Sequence, residues 1–335
     1  MKFGVIPVAA AVGSILAHSV RLSGRRLRKG LVLSEADVAV LVLEGVSQIT
    51  VAQLAEADCS EDKAAHQLAV ALLPDTQDSG MRLSEAFTGR VNIFATGPCV
   101  VRFETDKLLQ LNQVDPMITL ATVPDYTQMA AGGMIATVKI ISYGVPASGL
   151  KRACRFAKGA LRVALPVHKT ATLIITDIFG GPGAKGSEAI KARLHALGME
   201  LKSVQMIPHQ IVPLTDAIAK ADTDMILILT GSATSDTEDV APQALRAVGG
   251  EVIRFGMPVD PGNLLFFGKL GGKDVIGLPG CARSSALNGA DWVLSRLACG
   301  LAITGENVAA MGVGGLLKEI PSRPMPRTRK LRREE

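Results

Sequence analysis

Aromatic side chains are scarce: one Trp, two Tyr and nine Phe, 4% of 335 residues. With 34 glycines beside them, this argues against an all-β fold packed on large rings and for α/β layers joined by tight turns. The five cysteines (Cys59, Cys99, Cys154, Cys281 and Cys299) are widely spaced. The absence of any C-x-x-C pair speaks against structural zinc and fits reduced thiols in a cytoplasmic protein. The mostly apolar run Phe3 to Ala17 is interrupted by Pro7 and Gly13 and falls short of the about 20 residues a membrane helix needs. Neither membrane attachment nor export is therefore expected. No internal repeat is visible, and no aromatic-interleaved basic motif points to nucleic acid.

What is present is an ordinary folded-protein balance, 48% hydrophobic and 20% charged, with length enough for two domains. The formal charge is +5. Between Pro321 and Glu335 six basic residues face two acidic ones, so the last stretch carries +4 of it and reads as a solvated, disordered tail. The expected divisions are an α+β region over 1–165, an α/β domain over 166–302, and a basic tail over 303–335.

From Ala171 onward strand and helix patterns alternate. Apolar runs at Ala171–Thr176, Leu201–Ile207, Met225–Leu229 and Glu251–Phe255 read as strands. Leu264–Phe267 and Val275–Leu278 read as a pair around a Gly-Gly turn. Helices are expected from Ser187 to a stop at Gly198, along the stripe Leu214, Ala217, Ile218 and Ala221, from Val240 to Gly249, and from Ser284 to Leu297 with Leu287 facing inward. Such alternation predicts a three-layer, mostly parallel sheet with helices on both faces. In the N-terminal region a helix from Ala36 to Glu44, capped by Ser34 and ended by Gly45, precedes a strand at Ser47–Val51. Ala121–Val123 and Ile135–Ile141 also read as strands.

Three loops, 177–186, 230–239 and 279–284, follow strands and should meet at the carboxyl rim, where open α/β sheets bind ligands. Glycine-rich turns that lead into helices leave backbone N–H groups free for an anion. The first and third loops have that form. The middle loop holds Asp236, Glu238 and Asp239, which suit the amino and amide edges of a heterocycle or a Mg²⁺ ion. Asp239 serves equally well as an N-cap before Val240, and Asp177 offers the same choice. Together the loops suggest a ligand with phosphate at one end and a polar ring at the other. His18, His168 and His209 stand alone and read as structural.

These residues resemble the molybdopterin-binding domain shared by molybdopterin molybdotransferases, molybdopterin adenylyltransferases and CinA-type proteins. Thr230 to Asp239 resembles the family's glycine-rich loop with its acidic end. Ile175-Thr-Asp177 is similar to its first strand end, Asp260 to Gly268 to its Lys-Pro-Gly-Lys-Pro segment, and Gly277 to Ala286 to its Gly-Leu-Pro-Gly run. Leu27 to Val51 resembles the stretch that precedes the domain in the molybdotransferases.

The resemblance implies a molybdopterin-binding fold and a role in molybdenum cofactor biosynthesis. It implies Asp177 and Asp239 as catalytic and Mg²⁺-positioning residues. Ligand contacts would come from Thr230, Gly231, Ser232, Thr234, Glu238, Asp260, Pro261, Gly262, Pro279, Gly280, Arg283, Ser284 and Ser285. Gly280, Ser284 and Ser285 would hold the terminal phosphate at a helix N-terminus, with Arg283 adding charge. The ligand would be molybdopterin, free or adenylylated, with molybdate as a further substrate. A homo-oligomer is implied, with molybdoenzymes or cofactor-biosynthesis proteins as partners. The turn Thr88–Asn92, with Arg90, could then reach the site from another subunit.

Asp260 and Asn263 stand where the family has lysines, which should weaken anion capture. Three functions remain open: a molybdotransferase that releases AMP, a non-catalytic molybdopterin carrier or sensor, and a CinA-like nucleotide pyrophosphatase.

Overall fold

The computed structural model describes residues 1–73 and 79–317. Residues 1–97 with 101–163 cluster as one compact unit, and 98–100 with 164 onward as a second. The basic stretch 321–335 lies outside the described residues.

The chain opens with β1 (Lys2–Pro7), β2 (Ile15–Leu16), β3 (Val20–Arg21), β4 (Arg26–Leu27), α1 (Glu35–Leu43) and β5 (Gln48–Gln53). Strands β1 and β2 flank β5 antiparallel, and β3 pairs with β4. A reciprocal capping box between Ser34 and Asp37 starts α1, and Gly45, at φ +78°, follows its end. Leu16, Leu33, Leu41 and Val51 bury the interior of this segment.

Next come β6 (Asp58–Ser60), α2 (Glu61–Leu72), β7 (Met81–Leu83), β8 (Arg90–Ala95), β9 (Cys99–Phe103), α3 (Thr105–Gln113), β10 (Ile118–Thr122), β11 (Gln128–Met129), β12 (Met134–Ile140), β13 (Gly144–Pro146), α4 (Ala147–Ala157) and β14 (Leu161–Ala164). They form sheets ordered β10-β12-β8-β7 and β11-β9-β14, and the pair β13-β6.

The second unit holds β15 (Thr170–Asp177), α5 (Ser187–Ala196), β16 (Glu200–Pro208), α6 (Ile211–Lys220), β17 (Met225–Leu229), α7 (Val240–Ala247), β18 (Glu251–Phe255), β19 (Phe266–Leu270), β20 (Lys273–Leu278), α8 (Gly289–Ala298) and α9 (Gly305–Ala309). One sheet runs β16-β15-β17-β20-β19-β18. The first four strands are parallel and β19 is antiparallel to both neighbours. Alternate side chains of the central strands point to opposite faces. Leu173, Ile175 and Leu227 pack with Ile190 and Leu194 of α5 and Val293 and Leu294 of α8. Ile174, Ile226 and Ile228 pack with Leu214 and Ile218 of α6 and Ala244 and Leu245 of α7. These are the three expected layers.

Two expectations need correction. No α-helix starts at Ser284: residues 280–283 make a 3-10 turn, and α8 begins at Gly289 under an Asn288–Asp291 capping box. Arg193 of α5 is the cause. Its guanidinium donates to the carbonyls of Ala282 (3.0 Å), Ser284 (2.8 Å) and Ala286 (2.9 Å), which holds the segment open. Leu287 is therefore exposed rather than inward. The chain is also ordered beyond residue 303: α9 follows, and Leu316 bridges to Asp260. Among the described residues, no helix is long and apolar enough to cross a membrane.

Candidate functional site

Strand β15 is first in the second unit, β16 joins it on one side and β17 on the other. The strand order thus reverses between β15 and β17, and the carboxyl ends of these strands form the crevice where such sheets take ligands. Asp177 ends β15, and Thr230 and Gly231 directly follow β17. A Cβ on Gly231 would fall 2.8 Å from the Thr176 carbonyl oxygen and 3.2 Å from the Asp177 Cα, so only glycine lets the two loops touch.

Arg283 ties all three loops together. Its Nη1 donates to the carbonyls of Gly183 (3.3 Å) and Lys185 (2.6 Å), and its Nη2 to that of Thr230 (2.9 Å). Burial lowers its pKa, and the negative charge of Asp177 opposes that shift. The guanidinium expected to bind phosphate is thus spent largely on backbone carbonyls. Gly186, at φ +102°, accommodates it, because a Cβ there would lie 2.6 Å from the Arg283 Cα.

Oδ1 of Asp177 is buried and has no hydrogen-bond partner within the protein. A carboxylate oxygen accepts hydrogen bonds only, and a buried one without a donor is costly. This orphaned acceptor sits at the switch point of the sheet.

Beside it runs a polar relay that the sequence did not suggest. The Thr176 Oγ1 accepts from the Gly231 N–H at 3.1 Å and lies 2.7 Å from the His209 Nδ1. The His209 N–H donates to the Asp177 carbonyl at 3.0 Å. Only a histidine right after a strand that ends beside β15 could have signalled it.

The remaining expected residues have local roles. Asp239 caps α7: Oδ1 accepts from Val240 N–H at 2.7 Å and Oδ2 from Ser235 N–H at 3.1 Å. Glu238 pairs with Arg246 at 2.8 Å on the exposed side of that helix. The buried hydroxyls of Thr230 and Thr234 meet at 3.2 Å. Ser232, Gly280, Ser284 and Ser285 are exposed, whereas Pro279 is buried. Pro261 accepts from the Gly289 N–H at 2.8 Å, and Gly262 packs against Gly289. Asp260 exchanges backbone hydrogen bonds with Gly315 and Leu317. The Thr88–Gly89 turn is held by Asp62, at 2.6 Å from the Gly89 N–H, and by Lys139.

Among the described residues, no three or more His, Cys, Asp or Glu side chains gather as a cation site. The expected pair Asp177 and Asp239 thus gains no further carboxylate, imidazole or thiolate ligand for a Mg²⁺ ion among these residues.

Residues 184–298 match the family model described as "Probable molybdopterin binding domain", and residues 5–53 match a domain of unknown function (DUF8806). No curated protein matches the chain. Among solved structures, the chain is similar to a molybdopterin biosynthesis MoeA protein from Pyrococcus horikosii, at 13% identity over 89% of this chain and 75% of that one, with a TM-score of 0.31. It is also similar to the molybdopterin biosynthesis enzyme MoaB from Thermus thermophilus, at 16% identity over 40% and 98%, with a TM-score of 0.29. A CinA protein of unknown function from Thermoplasma acidophilum matches at 17% identity over 35% and 90%, with a TM-score of 0.26. At such identities and TM-scores these likenesses carry no weight in assigning an activity.

Proposed function

We propose that the protein, whose residues 184–298 match the family model described as "Probable molybdopterin binding domain", binds molybdopterin, free or adenylylated, at the rim between β15 and β17 and serves molybdenum cofactor biosynthesis. The buried, partnerless Oδ1 of Asp177 carries this reading. The amino and amide groups of a pterin are donors, and they supply what that oxygen lacks. Gly231 brings the middle loop against the backbone of Thr176 and Asp177, beside that oxygen. The phosphate end would meet exposed Gly280, Ser284 and Ser285 through hydroxyl and loop N–H groups, since no helix starts there. Thr230 and Arg283 shape the crevice rather than grip the ligand.

Titrating molybdopterin against wild type and Asp177→Asn tests this. A lost charged hydrogen bond is worth about 1.5–3 kcal/mol, so affinity should fall about tenfold or more. Stability should fall only modestly, because no hydrogen bond of Oδ1 is removed and the loss is the charge attraction between Asp177 and Arg283. Unchanged affinity would sink the proposal.

Asp260 and Asn263 favour binding without metal insertion, because neither offers a cation to molybdate. A single-turnover experiment with adenylylated molybdopterin and molybdate separates the two readings. Retained pterin without AMP release is expected for a carrier. Molybdate-dependent AMP release would make the protein a molybdotransferase.

A further inference from the structure

A second cleft lies wholly within the first unit. It measures about 640 Å³, within the usual range of small-molecule sites. Its walls follow from local topology. Strands β6 and β13 pair antiparallel, with Cys59 opposite Val145, and each runs directly into a helix, β6 into α2 and β13 into α4. Lys63 and Gln67, one turn apart, line the cleft from α2, and Ala147, Leu150, Lys151 and Cys154 do so from a single face of α4. Cys59 and Ser60 come from β6.

The chemistry is divided. Leu54, Leu150, Ala147 and the two thiols give an apolar, polarisable floor. Lys63, Lys151, Gln67 and Ser60 supply donors from both helices. Two carboxylates also line the space. Asp58 is taken up, 2.6 Å from the Met1 ammonium and 2.7 Å from the Ala55 N–H. Glu56 then stands alone against two lysines, which leaves the cleft positive. Helix α4 adds to this: Pro146 caps it without a side-chain bond, and no acidic residue occupies its first turn.

We propose that the cleft between α2 and α4 binds a small organic anion, with its carboxylate or phosphate group between Lys63 and Lys151 and its apolar body over Cys59 and Cys154. Two lysines on facing helices with an apolar floor between them fit an anionic head on a short hydrophobic body. Neither a bare cation nor an extended polar chain suits that pattern.

Cys154 is half-buried in the cleft wall and serves as the reporter. N-ethylmaleimide labelling of the full chain is followed by peptide mass spectrometry, so that Cys154 and the half-buried Cys281 of the second unit are read separately. The probes are phenyl phosphate and benzoate, against sodium chloride at matched ionic strength. At a concentration about ten times its Kd, a bound probe should slow Cys154 labelling about tenfold by mass action. The probe that protects identifies the head group. In the double variant Lys63→Gln/Lys151→Gln, both exposed positions, protection should fall to less than about twofold at the same concentration. The proposal is overturned by protection from neither probe, equal protection by sodium chloride, or protection that survives in the double variant.

Discussion

Arg283 shows how far a single residue's role depends on context. The sequence placed it in a phosphate-type loop and gave its charge to the ligand. In the fold the same guanidinium donates to three carbonyls from the first and middle loops. Lysine offers a point charge where the planar fork is needed, so Arg283→Lys should lower stability by about 2 kcal/mol. Chemical denaturation of wild type and variant measures this. Ligand affinity should fall as well, since the loops that shape the crevice lose their tie. A variant of wild-type stability would mean that the carbonyls find other donors. Arg193 carries the same lesson. In the sequence it is simply one position within the helix expected from Ser187 to Gly198. It reaches 98 residues along the chain to Asp291 at 2.6 Å, and at 9% side-chain exposure it is nearly buried. Removing one partner of a buried pair costs about 3–5 kcal/mol, so Arg193→Ala should be among the most damaging substitutions in this unit. Neither contact was legible, because each depends on which loops meet, and local sequence does not state that.

Among elements, legibility followed periodicity. The central strands β15 and β17 are mostly apolar, buried runs and lie where the sequence put them, as does α5 with its stop at Gly198. Helix α8 was displaced because Ser284 looks like a cap, while the bonds from Arg193 let the helix start only at Asn288. Replacing a side-chain cap with Ala costs about 1 kcal/mol, and Asn288→Ala should show this as a loss of stability. Asp239 at α7 allows a finer test. Asn caps a helix about as well as Asp but carries no charge. In Asp239→Asn the amide oxygen keeps one of the two backbone N–H groups and the other loses its acceptor, so stability should fall by about 1 kcal/mol with ligand affinity kept, and Asp239→Ala should cost at least about as much. Affinity lost well beyond that fall in stability would instead show that the charge itself meets the ligand.

At the scale of the whole molecule, the second unit was readable and the first mostly not. The first unit is built from short strands, several of two or three residues, in sheets whose partners lie far apart in sequence. Such pairing leaves little period to read. Nor could the sequence show that Cys99 and Cys299, scattered and unpaired, are among the most deeply buried polarisable groups. Burial pushes their thiols from an ordinary 9.0 up to about 11 and about 12. The folded chain thus keeps protons that the unfolded chain gives up above pH 9. The stability contributed by the neutral thiols is complete below pH 9 and is lost as pH rises from 9 through 12. Cys59, Cys154 and Tyr143, also raised by burial, act in the same direction. Each fully titrating proton steepens the fall by about 1.4 kcal/mol per pH unit. Cys299→Ala removes one such proton. Denaturant midpoints measured from pH 8 to 11 should therefore decline less steeply in the variant, by up to about 1.4 kcal/mol per pH unit. A parallel decline in both proteins, offset only by the lost sulfur packing, would mean that the Cys299 thiol ionises in the fold as readily as in the open chain.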